Sequence, residues 1–291
     1  MTELVIPSKT LENGFSLPVY GVGLWGVGGT MQADTSRDDI ELAALRSALD
    51  MGVTHFDTAQ MYGNGHSEEL LGQAIQGYDR NKLQIATKII ETNMAYDDLL
   101  SSFDVSLARL KTDYVDLLIL HRYPPAGVNI ADTMKALDLL VSQGIVKHIG
   151  VSNFTPERLT EAQGLTDNKI VCNQVHYNTQ YREVEARGVL AQCQNEDVML
   201  VAWRPLQKGA LLQTQLLQEF AQKYNKTPAQ VALNWLISQD KVVTIAKTSS
   251  IAHLQENLGA FGWDIEPEDV ERIRLEFPDQ KQVSDAVPLD Y

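Results

Sequence analysis

Short apolar runs alternate with helical patterns along most of the chain. Helical periods occur, for example, over residues 38–52 and 131–144. Eight apolar runs have the length and low internal polarity of strands that are buried on both faces. These runs are VYGVGL, VTHFD, LQIATK, VDLLIL, VKHIGVS, IVCNQV, VMLVAW and VVTIAK. The alternation predicts an α/β fold with a parallel sheet. Eight units favour a closed (β/α)8 TIM barrel, with a doubly wound open sheet as the alternative.

Local signals define the N-terminus of the fold and one helix near the C-terminus. Asn13-Gly14 lies between the runs VIPSKTL and FSLP, which is the strongest short signal for a β-hairpin. Residues 227–230 read Thr-Pro-Ala-Gln, which predicts a helix with an N-cap, a proline in its first turn and a capping-box glutamine. Gly144 is expected to end the helix over residues 131–144.

Composition limits the partners of this protein. The 291 residues carry a net charge of −14, which argues against nucleic-acid and anionic-membrane partners. No window is long enough to span a membrane, and the N-terminus does not read as a signal peptide. The two cysteines, Cys172 and Cys193, are therefore expected to be buried thiols in the cytoplasm rather than a disulfide. We predict one domain over residues 1–291, as a monomer with a weak dimer as the alternative.

Residues 21–26 read GVGLWG, which matches the glycine pattern of a dinucleotide-binding turn. In that fold a helix must begin within the motif, so that its N-terminus meets the pyrophosphate. Here a polar, glycine-rich stretch follows, and no helical period begins before about Asp38. We therefore interpret these glycines as a strand-to-loop exit beside a ligand. The histidines show no metal-ligand spacing, so no metal site is expected.

Four polar residues stand at the ends of three consecutive predicted strands. Asp57 and Tyr62 follow VTHF, Lys88 closes LQIATK, and His121 follows VDLLIL. In a parallel barrel the carboxyl ends of all strands converge on one mouth. Lys88 at that position needs a counter-charge, which Asp57 can supply. The lysine is expected to lower the pKa of Tyr62, which then donates a proton to a carbonyl oxygen that His121 positions.

Each of these four residues also has a purely structural interpretation. Asp57 is in that case a helix cap, Tyr62 a packing residue, Lys88 a solvated strand end and His121 a satisfied core histidine. All four structural roles would have to coincide at consecutive strand ends. The complementary chemistry of the group therefore favours an enzyme.

These segments resemble the aldo-keto reductase superfamily. FDTAQMYGNG, IATK and TDYVDLLILH carry Asp57, Tyr62, Lys88 and His121 at the catalytic positions of that family. VSNF, NQV, VAWRPL, IAKTS and QENL follow in the family's order. The resemblance implies a barrel with an N-terminal hairpin cap, reduction of small aldehydes or ketones, and NADPH as cofactor, with NADH used at lower efficiency.

The resemblance also implies two sets of contact residues. By family analogy Ser152, Asn153 and Gln174 hold the nicotinamide carboxamide. The full cofactor set is Gly23, Leu24, Trp25, Asp57, Ser152, Asn153, Gln174, Trp203, Arg204, Leu206, Lys247, Thr248, Ser249, His253, Glu256 and Asn257. The substrate set is Trp25, Tyr62, His121, Arg122 and Tyr123.

The sequence departs from the family pattern at four positions. Trp203 replaces the tyrosine that stacks on the nicotinamide, and an indole can stack equally well. Arg204 replaces a small residue near the pyrophosphate and is expected to pair with it. His253 stands where many members have an arginine for the 2′-phosphate, which Lys247, Thr248 and Ser249 are also expected to contact. Arg122 follows the family's catalytic histidine in place of an aromatic residue. It either places a positive charge at the barrel mouth or pairs with an acidic loop residue.

Two other functions fit the same fold. The first is a nucleotide-binding accessory or sensor protein, since the superfamily includes channel-associated subunits. The second is an isomerase or aldolase that uses Lys88 as a Schiff base, which pairing with Asp57 disfavours. The sequence does not identify the substrate.

Overall fold

A computed structural model of the protein describes residues 5–289 and contains ten strands among them. The ends of the predicted domain, residues 1–4 and 290–291, lie outside the described residues. The strands are β1 (Ser8–Thr10), β2 (Ser16–Pro18), β3 (Tyr20–Gly23), β4 (His55–Asp57), β5 (Gln84–Ile89), β6 (Val115–Leu120), β7 (Val146–Ser152), β8 (Ile170–His176), β9 (Met199–Trp203) and β10 (Val242–Ala246).

Strands β3 to β10 form a closed parallel barrel. They pair in chain order, and β10 closes the barrel by pairing with both β9 and β3. Each of the eight predicted runs overlaps a barrel strand, so the closed barrel is confirmed and the open-sheet alternative is wrong. The motif at residues 21–26 leaves β3 for a loop, and the next helix begins at Asp38, which excludes the dinucleotide-binding turn.

Helices cover the outside of the barrel. Those within residues 5–289 are α1 (Asp38–Asp50), α2 (His66–Ala74), α3 (Tyr96–Leu110), α4 (Ile130–Ser142), α5 (Pro156–Gln163), α6 (Glu183–Ala186), α7 (Val189–Asn195), α8 (Gln215–Tyr224), α9 (Pro228–Ile237), α10 (Ile251–Leu258) and α11 (Pro267–Glu276). Four 3₁₀ turns lie at Tyr62–Gly65, Arg80–Lys82, Glu91–Asn93 and Gln207–Gln213. In this part of the chain no helix is long and apolar enough to cross a membrane.

The predicted helix signals act as expected. At the start of α9 the Thr227 hydroxyl accepts from the Gln230 amide at 3.3 Å, and the Gln230 side chain accepts from the Thr227 amide at 3.0 Å. This capping box satisfies two amide groups that the helix itself cannot pair. Helix α4 ends at Ser142, and Gly144 beyond it has a φ of 73°, a conformation that favours glycine.

The hairpin β1–β2 closes the amino-terminal end of the barrel. Its turn places Gly14 at a φ of 86°, and the Asn13 side chain accepts from the Phe15 amide at 3.0 Å. Phe15 and Leu17 are buried against the inward-facing residues of the barrel. The predicted hairpin cap is therefore confirmed. The opposite, carboxyl end of the barrel stays open to solvent-exposed loops.

Side-chain alternation places the polar groups at that open end. In β5, Ala86 belongs to the interior cluster and Lys88, two residues later, points the same way. In β6, Leu117 and Ile119 lie inside, and His121 continues their face just past the strand. Cys172 and Cys193 are both buried and free, as predicted.

Candidate active site

Lys88 stands at the centre of the polar group in the barrel mouth. Its side chain is fully buried, and its ammonium forms an ion pair with the Oδ1 of Asp57, which is also buried. The same ammonium donates to the Thr58 carbonyl at 2.8 Å and to the Tyr62 hydroxyl at 3.3 Å. All three donor positions of the lysine are therefore used. A solvated strand end is excluded for Lys88.

Opposing effects set the proton affinities of this group. Burial would lower the pKa of Lys88, but Asp57 and Tyr62 together raise it above its usual value, so the lysine stays charged. Burial raises the pKa of Tyr62, and the Lys88 charge lowers it by less than burial raises it. Lys88 does lower the pKa of Tyr62, as expected, but the effect of burial is larger and the net pKa lies above its usual value. Tyr62 is therefore a neutral phenol beside a fixed cation at neutral pH.

His121 faces Tyr62 at the same mouth. The two ring centroids lie 5.7 Å apart, with 73° between the ring planes. Burial, followed by the charges of Lys88 and Arg122, lowers the pKa of His121 well below its usual range. The imidazole is therefore neutral, and its Nδ1 is buried without a hydrogen-bond partner among residues 5–289. A neutral imidazole at this place can hydrogen-bond a ligand oxygen without adding charge.

The predicted carboxamide residues lie side by side at the ends of β7 and β8. Ser152 donates to the Gln174 carbonyl at 2.7 Å, and the Asn153 amide donates to the Ser152 hydroxyl at 2.9 Å. The Oδ1 of Asn153 is buried and unpartnered within the described chain, so it can accept from a ligand amide. The Gln174 side chain donates to the Oδ2 of Asp57 at 2.8 Å, which joins these residues to the Lys88 group.

Trp203 and Arg204 end strand β9. The indole of Trp203 stacks on the imidazole of His176, with centroids 4.5 Å apart and 12° between the planes. Arg204, half-buried and with a φ of 56°, donates to Asp285 at 2.9 Å. The structure thus pairs Arg204 with a carboxylate of the C-terminal segment, where the sequence suggested a pyrophosphate.

The segment expected to hold the 2′-phosphate lies at the N-terminus of α10. Lys247 is exposed and its ammonium lies 3.4 Å from the Gly26 carbonyl across the mouth. The Thr248 hydroxyl bonds within the loop to the backbone of Ser250, and Ser250 caps α10 by accepting from the His253 amide at 3.4 Å. A cation, hydroxyl groups and a helix N-terminus together suit an anion.

The other residues of the predicted cofactor set differ in their burial. Gly23 and Leu24 are buried where β3 meets the loop, and the Leu24 amide donates to the Asp57 carbonyl at 2.9 Å. The Asn257 amide is turned inward and donates to the Tyr20 hydroxyl at 3.3 Å. Leu206, Ser249 and Glu256 are partly exposed.

The predicted substrate residues divide into two groups. Trp25 is 39% exposed and meets the Tyr62 ring edge-on, with centroids 5.1 Å apart. Arg122 forms an ion pair with Glu91 at 2.8 Å, which is the second of its two predicted alternatives. The Tyr123 hydroxyl donates to Glu161 at 2.7 Å, and this bond anchors it to α5. Trp25 and His121 therefore border Tyr62 directly, whereas Arg122 and Tyr123 already have partners.

Sequence reasoning missed four contributors. The Thr58 carbonyl accepts from Lys88, and a backbone group gives no signal in a sequence. His176, Ser284 and Asp285 support the end of β9 from behind. His176 directly follows the Asn-Gln-Val segment at the end of β8, so the sequence contained a signal for its position in the barrel mouth. The polar tail gave no such signal, because its position depends on the docked chain.

A closed parallel barrel with convergent polar groups at its carboxyl mouth defines an α/β-barrel enzyme. The model of the Aldo/keto reductase family matches residues 20–275, and the chain belongs to this family of oxidoreductases.

Characterised relatives cover almost the whole chain. A glyoxal reductase of Bacillus subtilis is 34% identical over 90% of this chain and 90% of its own length. A methylglyoxal reductase, YeaE, of Escherichia coli is 32% identical over 91% of this chain and 93% of its own. The crystal structure of an aldo-keto reductase from Klebsiella pneumoniae in complex with NADPH superposes with a TM-score of 0.85, at 29% identity over 96% and 98% of the two chains.

Proposed function

We propose that this protein reduces a small aldehyde or ketone to an alcohol, with NADPH as the hydride donor and Tyr62 as the proton donor. One observation carries the proposal: the buried, charged Lys88 lies 3.3 Å from the Tyr62 hydroxyl and is held there by Asp57. A buried ammonium beside a phenol stabilises the phenolate that proton donation leaves behind.

The chain's own residues account for the proton. Tyr62 is a neutral phenol at neutral pH, so it holds the proton that a carbonyl oxygen acquires during reduction. Lys88 stabilises the resulting negative charge, and His121 hydrogen-bonds the oxygen in its neutral form. When bound, the cofactor supplies the hydride for the carbonyl carbon. Carbon gains the hydride, oxygen gains the Tyr62 proton, and solvent restores the phenol.

The residues at the mouth suit a nicotinamide nucleotide. The unpartnered Oδ1 of Asn153 matches the amide hydrogens of a carboxamide, and Ser152 and Gln174 lie next to it. Trp203 offers a flat ring, and Lys247 lies at the mouth in front of the α10 N-terminus. The groups expected to meet the carboxamide, the ring and the phosphates thus all stand at carboxyl ends of barrel strands.

The substrate class follows from the surroundings of Tyr62 and from the relatives. The Arg122–Glu91 ion pair leaves no net charge beside His121, and Trp25 adds an apolar wall. Two relatives of this chain are named for reduction of glyoxal and methylglyoxal. We therefore propose small uncharged carbonyls, with 1,2-dicarbonyls first among them.

Removal of the Tyr62 hydroxyl tests the proposal. Tyr62→Phe keeps the ring and removes the proton donor, so we expect methylglyoxal reduction to fall about 100-fold or more. The rate is followed as loss of NADPH absorbance, and cofactor binding by calorimetry should remain. Tyr78→Phe is the matched control, because the Tyr78 hydroxyl donates to Asp50 at an exposed position outside the barrel mouth.

Two outcomes would contradict the proposal. Near-native turnover by Tyr62→Phe would remove Tyr62 from its assigned role. Tight cofactor binding without turnover of any carbonyl by the native protein would instead favour the accessory-protein alternative.

The choice between NADPH and NADH tests the phosphate site. Lys247→Ala removes the cation expected at the 2′-phosphate, and a hydrogen bond to a charged group contributes about 1.5–3 kcal/mol. We expect KM for NADPH to rise roughly ten- to a hundred-fold while KM for NADH stays nearly constant. Because the imidazole of His253 lacks the fork of an arginine, His253→Arg should lower KM for NADPH only.

A matched control makes this result specific. Lys82→Ala changes the net charge equally at an exposed position far from the α10 N-terminus. It should leave the KM of both cofactors unchanged. Equal effects of Lys247→Ala on NADPH and NADH would show that this segment does not bind the 2′-phosphate.

A further inference from the structure

His176 lies behind the ring that the proposed function places against the nicotinamide. It ends β8 and stands directly opposite Trp203 in the β8–β9 ladder. One face of its imidazole stacks on Trp203, and the other stacks on Tyr181 with centroids 4.4 Å apart and 23° between the planes. The three rings form one stack with Trp203 as its outer member. Trp203 is partly exposed, and within the described chain no second ring stacks on it.

The imidazole in the middle of this stack cannot rotate freely. Its Nδ1 lies 2.7 Å from the Ser284 hydroxyl, and its Nε2 lies 3.3 Å from the Gln207 side-chain oxygen. The ring is buried, so both nitrogens need these partners. Burial, and then the charge of Arg204, lowers the pKa of His176 to about 4, so the ring stays neutral at working pH.

Three parts of the chain hold His176, and one of them is Asn178 just after β8, whose side-chain amide lies 3.3 Å from Nε2. Ser284 belongs to the C-terminal segment, and its backbone amide donates to the buried Glu183 at 2.8 Å. Gln207 belongs to the loop after β9, and it also donates to Asp285 at 3.2 Å. The C-terminal segment, the β9 loop and Asn178 therefore meet at this imidazole, and their hydrogen bonds determine its plane.

We propose that His176 is a positioning residue for the cofactor: it sets the plane and depth of the Trp203 indole, and so of the nicotinamide stacked on that indole. The inference rests on the proposed function, because it assumes that Trp203 contacts the cofactor ring. His176 itself touches no reacting atom. Its contribution is to order the indole before binding, which lowers the entropy that binding costs.

Removal of the imidazole ring tests the inference. His176→Leu takes away the rear support, and we expect Kd for NADP⁺, measured by calorimetry, to rise about three- to ten-fold, the scale of one aromatic pair. His176→Phe keeps a ring in the stack but removes the hydrogen bonds of both nitrogens, so its Kd should rise by less than that of His176→Leu. The control His148→Leu removes an imidazole that packs edge-on against Phe15 at the opposite end of the barrel, and should leave Kd unchanged.

A double-mutant cycle separates positioning from a general structural role. If His176 acts through Trp203, adding His176→Leu to Trp203→Leu should change Kd by less than about two-fold. An equal loss in both backgrounds would overturn the inference. Ser284→Ala removes the hydrogen bond to one ring nitrogen of His176 and keeps the ring itself. It can therefore replace His176→Leu in the test if that variant does not fold. Ser284→Ala should raise Kd for NADP⁺ by less than His176→Leu does, and it should have no effect in the Trp203→Leu background. An unchanged Kd in the presence of Trp203 would count against positioning.

The cycle also distinguishes the two levels of the argument. If Trp203→Leu binds NADP⁺ as tightly as the native protein, Trp203 is not the nicotinamide platform, and this part of the proposed function fails together with the inference. If Trp203→Leu binds more weakly but His176→Leu binds normally, the platform stands and the inference alone is wrong.

Discussion

At the scale of single residues, Lys88 determines what Tyr62 can do. Burial and the Asp57 carboxylate raise the pKa of Tyr62, and the Lys88 charge is the main effect in the other direction. Lys88 keeps its charge because Asp57 faces it, and Asp57 is held in turn by the Gln174 amide. The phenol therefore depends on a chain of three side chains, each buried and each paired.

Loss of the Lys88 charge should shift the pH dependence of the reverse reaction. In the proposed mechanism, alcohol oxidation needs the phenolate of Tyr62 as base, so we expect its rate to rise as pH passes the pKa of that group. In Lys88→Met only the effects that raise this pKa remain, and the rising limb should move to higher pH. Reduction should also slow, by roughly ten-fold or more. The pH profile of kcat/KM for alcohol oxidation measures the shift.

A paired variant guards this experiment against misfolding. Lys88→Met leaves the buried Asp57 without its cation, which is strongly destabilising. The double variant Lys88→Met/Asp57→Asn removes both charges and should fold more readily. A native pH profile in both variants would show that Lys88 has another role.

At the scale of elements, the 3₁₀ turn Tyr62–Gly65 begins with the Tyr62 phenol and leads into helix α2. Gly65 has a φ of 92°, and a Cβ there would lie 2.2 Å from the guanidinium of Arg109. That guanidinium bonds the fully buried Glu68 at 3.3 Å. A side chain at Gly65 would therefore push Arg109 away from a buried carboxylate, and the turn beneath Tyr62 depends on glycine for two reasons.

Gly65→Ala should destabilise the protein and slow catalysis. Gly77→Ala should destabilise it mildly and leave catalysis unchanged. Gly77 has a φ of 93°, and a Cβ there would meet nothing within 4 Å, so it shares the backbone strain without the collision. We expect Gly77→Ala to cost about 1 kcal/mol and Gly65→Ala several kcal/mol, with a lower kcat. Urea unfolding and steady-state kinetics measure both. Equal costs would show that Arg109 yields freely.

At the scale of the whole molecule, neutral histidines with lowered pKa values make the fold sensitive to acid. Burial lowers the pKa of four histidines, His55, His121, His148 and His176, below the usual 6.5. An unfolded chain binds protons at these sites near pH 6.5, and the folded chain only at lower pH. The stability that these histidines contribute is therefore fully present above their pKa in the unfolded chain. It is lost as pH falls toward their pKa in the folded protein. Burial raises the pKa of Glu68, which acts in the opposite sense.

His176 gives this prediction a magnitude. A pKa lowered from 6.5 to about 4 corresponds to roughly 3 kcal/mol of stability, lost between about pH 6.5 and pH 4. The urea midpoint of the native protein should fall across this window. His176→Phe has no proton to gain at this site, so its midpoint should fall less. The same slope in both proteins would show that His176 does not contribute to the acid sensitivity.

The sequence by itself determined the barrel, the hairpin and the capped helix α9. Each of these follows from local patterns: strand-length apolar runs, the Asn13-Gly14 turn and the Thr227 capping box. It also identified Asp57, Tyr62, Lys88 and His121 as neighbours, because parallel strands bring their carboxyl ends together whatever the details of packing.

Only the tertiary structure decided how these residues are balanced. Burial raises the pKa of Tyr62 and the nearby charge of Lys88 lowers it, so the net shift depends on which effect is larger. Both effects depend on positions in space. Arg122 turned to Glu91 and Arg204 to Asp285, since an acidic protein offers many carboxylates and a sequence does not say which is nearest. The stack of Tyr181, His176 and Trp203 joins two strand ends and is held by the docked tail. Such contacts between distant segments leave no periodic signal, and distances across the fold set their strength.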